Sequence, residues 1–144
     1  MLKEEILGEK IDLDLVCLGF LAIIIRSVDM YFTYRNIKAY GYEEITPGLR
    51  KIFETMGLER GILFSQILSA IVIFVIIYFS NIARRKHLKI SYTPYILLLN
   101  HILGLILTVH GLMSPPIYTC ITVLTLTIVF AIIGLDLKTL LQLK

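Results

Sequence analysis

ISYTPYILLLNHILGLILTVHGLMSPPIYTCITVLTLTIVFAIIGL, residues 90–135, contains no Lys, Arg, Asp or Glu. This run of about 46 residues is roughly twice what a bilayer-crossing helix needs, so it predicts two spans. A break lies in its middle at Gly111, Leu112, Met113, Ser114, Pro115 and Pro116. Two consecutive prolines remove two helix donors, and glycine accepts turn geometry. The run therefore reads as a helical hairpin with spans at about 92–112 and 116–135, where Pro94 and Pro116 suit first helical turns.

Upstream, residues 61–83 are uncharged and bracketed by Arg60 and by Arg84, Arg85 and Lys86. About 23 residues make about 34 Å of helix, enough to cross with modest tilt. The first candidate, 13–34, differs because its uncharged core, 15–25, is too short unless the helix carries Arg26 and Asp29 into the membrane. About eleven large apolar residues contribute on the order of 0.5 kcal/mol each, while a central Arg and Asp cost roughly 2.5 to 3.5 each. Gain and cost nearly cancel, so the two charges must face each other, other helices or a wet cavity, not lipid.

The expected fold is all-α: a polytopic membrane protein of four transmembrane helices and a short interfacial helix in the first loop, forming one domain over 1–144. The short helix follows from Leu49, Ile52, Phe53 and Met56 at i, i+3, i+4 and i+7, with Thr46 as N-cap, Pro47 at the first position and Gly57 as the stop. A hydrophobic content of 57% leaves little polar surface for a soluble chain. Arg84, Arg85, Lys86 and Lys89 make the second loop short and basic, which predicts a cell-membrane protein with that loop and both termini in the cytoplasm. Mixed charge in the first dozen residues argues for a retained anchor over a cleaved leader.

The net charge of +3 gathers at span ends as topology requires and is no nucleic-acid signature; the partner implied is the lipid bilayer, and so small a bundle is compatible with a homo-oligomer or a membrane-complex partner. Cys17 and Cys120 sit alone in apolar runs and read as inert thiols. No nucleotide loop, paired-histidine zinc helix, serine elbow or calcium loop is present, so neither a cofactor nor a metal is assigned.

Arg26, Asp29 and Thr33 share one face of the first helix, in its outer half under this topology. One reading is a self-contained ion pair packed on a neighbouring helix. The other makes Asp29 a proton carrier, metal ligand or catalytic carboxylate in a buried cavity. The third span adds Asn100, Gly104, Thr108 and Gly111, a stripe that predicts close helix packing. His101 and His110 lie on opposite faces about 13.5 Å apart, too far to share a metal, and His110 falls at the depth of Asp29. Gln66 with Ser69, and Thr119, Thr122 and Thr125, fit either an outward-facing polar pocket or helix-to-helix hydrogen bonds.

Asp29, Thr33, Gly41, Glu44 and Pro47 fall on the pattern Asp-x-x-x-Thr followed by Gly-x-x-Glu-x-Asn-Pro, with Thr46 at the asparagine position. In this the stretch from Val28 to Gly111 resembles a family of small prokaryotic multi-span membrane proteins of unknown function. The resemblance implies a multi-span helical fold and no particular activity.

Two functions compete. One is a non-catalytic accessory, assembly or small-solute permeation component with a charge-paired polar site formed from Arg26, Asp29, Thr33, Glu44, Asn100 and His110. The other is a membrane-embedded, metal-dependent or acid–base enzyme acting on a lipid or isoprenoid, which requires Asp29, Glu44 and His110 to converge. A proton-coupled transporter using Asp29 and His101 ranks behind both. Glu44 is expected to pair with Arg26 in the first reading.

Overall fold

Helices end here where the chain supplies a reversal, not where its apolar runs stop. The computed structural model describes residues 12–44, 46–110, 112 and 114–142. In chain order they form α1 (Leu13–Tyr40), α2 (Pro47–Met56), α3 (Leu58–Arg85), a 3-10 turn (Lys89–Tyr92), α4 (Thr93–Val109) and α5 (Pro115–Gln142). Four of these segments are long and apolar enough to cross a membrane. The protein is an all-α polytopic membrane protein with a short extra helix in its first loop.

α1 runs past residue 34 because a helix satisfies its backbone groups internally whatever surrounds it. It stops at Gly41, whose φ of 68° lets its N–H turn back to Asn36 and Ile37. α3 closes on His87 at φ 55°, with the Leu88 N–H reaching the Ala83 carbonyl at 2.9 Å. Histidine tolerates that left-handed position better than most side chains. α4 stops at Val109, short of the expected 112; Gly111 and Met113 of the expected hairpin lie outside the described residues.

The centre of the bundle is α1 against α3, with α4 alongside both. Leu15 and Ala22 of α1 and Ile73 and Ile77 of α3 are buried, flanked by Leu18, Ile23, Leu97 and Leu98. Gly19 permits the approach, since a Cβ there would lie 3.2 Å from Ile77. α2 folds back onto α3 at Gly61, where a Cβ would stand 2.6 Å from the Phe53 ring and 3.3 Å from Ile52. Its apolar face is thus divided between this contact, the cavity described below (Leu49) and the outside (Met56). Thr46 occupies the N-cap position, but its hydroxyl does not cap; the Glu44 carboxylate, a stronger acceptor, takes the Thr46 N–H at 2.8 Å.

α5 packs on the 3-10 turn and on α4 but on neither α1 nor α3. Its attachment at the basic-loop end is Asp136, 7% exposed, whose two oxygens accept the Lys89 and Ile90 N–H groups at 2.7 Å each. A carboxylate on the first donors of a helical turn is a favourable charge-assisted arrangement. At the same end Arg84 reaches Asp12 at 3.2 Å and Asp14 at 2.7 Å and donates to the Tyr95 hydroxyl, while Asn81 accepts the Asp12 N–H. The helices are therefore tied together at the basic-loop end.

Candidate functional site: a polar cavity between three helices

A cavity of about 880 Å³ is lined by α1, α4 and α5 and roofed by the loop after α1 and the start of α2. α1 and α5 both line it without packing backbone against backbone. Arg26, Asp29, Thr33 and Asn36 enter from α1, Asn100, His101, Gly104 and Thr108 from α4, and Tyr118, Thr122 and Thr125 from α5. Spacings of three and four residues put each set on one helix face. Toward the basic loop α1 and α3 are packed together through Leu15, Ala22, Ile73 and Ile77.

Arg26 donates through Nη1 to Asp29 Oδ2 at 2.6 Å, and the two side chains are only 16% and 17% exposed. The costly charges of the first span are thus paired within one helix and turned toward the cavity, away from lipid. The expected pair of Glu44 with Arg26 does not form. Glu44 instead lies at the roof, held by Thr46, and Arg50 donates to the Glu44 carbonyl at 2.8 Å while approaching Glu43 at 3.4 Å. The Thr125 hydroxyl donates to Asn100 Oδ1 at 3.3 Å, and Thr122 donates to the Tyr118 carbonyl at 2.9 Å.

Of the six residues expected at the site, five line the cavity: Arg26, Asp29, Thr33, Glu44 and Asn100. His110 does not. It is exposed beyond the end of α4, with Nδ1 against the Ile106 carbonyl at 2.8 Å, and the opposite face of α4 brings His101 into the cavity instead. Asp29, Glu44 and His110 are therefore not assembled as a ligand set, and no group of three or more His, Cys, Asp or Glu side chains suited to a metal occurs among the described residues.

No family model, curated protein or solved structure matches the chain. Its site is read from its own geometry.

The stripe of Asn100, Gly104 and Thr108 makes the expected helix contact at Asn100, bonded across to Thr125 of α5, but not at Gly104. A Cβ built on Gly104 meets nothing within 4 Å, because α5 stands off and the stripe faces open volume. Gln66 and Ser69 of α3 do not line the cavity, whereas Thr122 and Thr125 do. Asn36 and Tyr118 were not anticipated. Both were visible as periodicity, Asn36 extending the face of Arg26, Asp29 and Thr33, and Tyr118 standing four and seven residues before Thr122 and Thr125.

Proposed function

We propose that this chain is a non-catalytic binding component of the cell membrane that holds an amphiphilic molecule, its polar head in the cavity and its apolar tail leaving between α1 and α5. The convergence of polar side chains from three spanning helices on one volume carries this reading. About 880 Å³ falls in the range of sites for small ligands, and Ile37, Leu49, Ile121 and Leu126 interleave with the polar groups as an amphiphile requires. The basic loop containing Arg84, Arg85, Lys86 and Lys89 belongs in the cytoplasm with both termini, which puts the cavity in the outer half of the bilayer. Membership of the small membrane family with the Asp-x-x-x-Thr pattern is part of the same proposal.

The test is extraction of the protein in native-lipid discs followed by mass spectrometry of the bound lipids. Wild type is expected to retain roughly one enriched amphiphile per chain, and Gly104→Leu, which fills open space, to lose it while keeping wild-type helical content. Lipid profiles matching the bulk membrane for both proteins would remove the proposal.

A further inference from the structure

The cavity's charges and hydrogen-bonding groups go further than the presence of a guest and select its head group. The cavity holds two guanidinium groups, Arg26 and Arg50, against three carboxylates, Asp29, Glu43 and Glu44. Arg26 is held by Asp29 at 2.6 Å with both side chains about five-sixths buried, whereas Arg50 and Glu43, 3.4 Å apart, stand exposed at the rim. A protonated His101 would only bring the set to neutrality. A phosphate or carboxylate head would therefore meet a lining with one net negative charge, and reaching Arg26 would require its buried pair with Asp29 to open.

The remaining lining is rich in groups that both give and take hydrogen bonds. With Asn100 Oδ1 and the Thr125 proton used on each other, the Asn100 amide still offers N–H donors and the Thr125 oxygen still accepts. Thr122 spends its proton on Tyr118 and keeps its oxygen as an acceptor. Thr33, Asn36 and Thr108 add further hydroxyl and amide groups on the facing walls. Donors and acceptors mixed at this density suit a guest whose own polar atoms are each donor and acceptor, which is the chemistry of a hydroxyl. Resting on the amphiphile reading above, the geometry points to a neutral polyhydroxylated head group, a glycosyl or polyol head, as the ligand of this cavity.

The experiment uses the full chain in nanodiscs containing equal shares of glucosyl diacylglycerol, phosphatidylethanolamine and phosphatidylglycerol, with retained lipids counted by native mass spectrometry. A parallel arm titrates free glucose by calorimetry. Glucosyl diacylglycerol is expected to be enriched about fivefold or more over phosphatidylglycerol, about the discrimination of one well-made hydrogen bond, with Asn100→Leu abolishing the preference. Glu43→Lys, at an exposed position on the cavity rim, reverses the sign of the charge balance and should raise phosphatidylglycerol retention about two- to fivefold; damaged folding would lower all retention together. Enrichment of phosphatidylglycerol or phosphatidylethanolamine by wild type overturns the head-group assignment and leaves the amphiphile reading standing. Binding of free glucose with no lipid enriched overturns the amphiphile reading and leaves hydroxyl recognition. No enrichment in either arm overturns both.

Discussion

Neutralising Asp29 alone should harm this protein more than neutralising Asp29 and Arg26 together. The two side chains are about five-sixths buried and their nearest atoms are 2.6 Å apart. With charge centres about 4 Å apart and an effective dielectric near 20, the attraction is about 4 kcal/mol. Water entering the cavity mouth reduces the coupling to about 2 to 3 kcal/mol. Asp29→Leu or Arg26→Leu strands one charge in a poorly solvated place and is expected to cost about 3 kcal/mol. The double variant removes both desolvation costs and adds apolar surface to a helix whose insertion was marginal, so it should approach wild-type stability. Equilibrium unfolding of the four proteins in one detergent gives the coupling directly. Single-variant losses that add to the double-variant loss within about 0.5 kcal/mol would show that the charges are separately solvated, and the reasoning about the first span would fail.

Gly61→Ala should lower stability by about 1 kcal/mol, because forcing a methyl group to within 2.6 Å of Phe53 costs about 1 to 3 kcal/mol against a helix-propensity gain of about 1. Gly48→Ala in α2, with open space around it, is the control and should not lower the thermal midpoint. Asp136→Ala removes the acceptor of two backbone N–H groups and should cost about 1 to 3 kcal/mol, with faster amide exchange at residues 89 and 90 as its local sign. Arg84→Lys keeps the charge but loses the fork that serves Asp12, Asp14 and Tyr95; these carboxylates are half exposed, so a shift in unfolding free energy of about 1 kcal/mol or less is expected.

The helices were legible because apolar runs, prolines at first turns and glycines at stops are local signals. Much of the cavity was legible for the same reason, since charges that lipid forbids must turn inward and Arg26, Asp29, Thr33 and Asn100 do so. His110 was misplaced because depth was weighed above direction: it shares a level with the far end of the cavity but points away from the face that carries Asn100, Gly104 and Thr108. His101, one residue beyond Asn100, has the direction. Asn36 was missed because the expected span ended at 34, although the helical face continues to Tyr40. The stand-off of α5 had no signature in periodicity. A stripe of small and polar residues reads the same whether a neighbour lies against it or an open volume does, and only the absence of α5 from the faces of α1 and α3 separates the two.

How the cavity's polar groups are satisfied argues for a guest more strongly than its volume does. At the basic-loop end, bonds join different elements: Arg84 of α3 to Asp14 of α1 and Tyr95 of α4, and Asp136 of α5 to the 3-10 turn. Around the cavity they stay mostly within one element: Arg26 with Asp29 in α1, Thr122 with Tyr118 in α5, and Glu44 with Thr46 in the roof loop. Among the described residues, the side-chain bond that joins two cavity walls is that of Thr125 to Asn100, at 3.3 Å. A permanent helix interface would be expected to satisfy buried polar groups across itself, because separation would then leave them unpaired. Here one hydrogen bond of 3.3 Å joins α4 to α5 across the cavity, while the opposite end carries the bonds that tie the elements to one another.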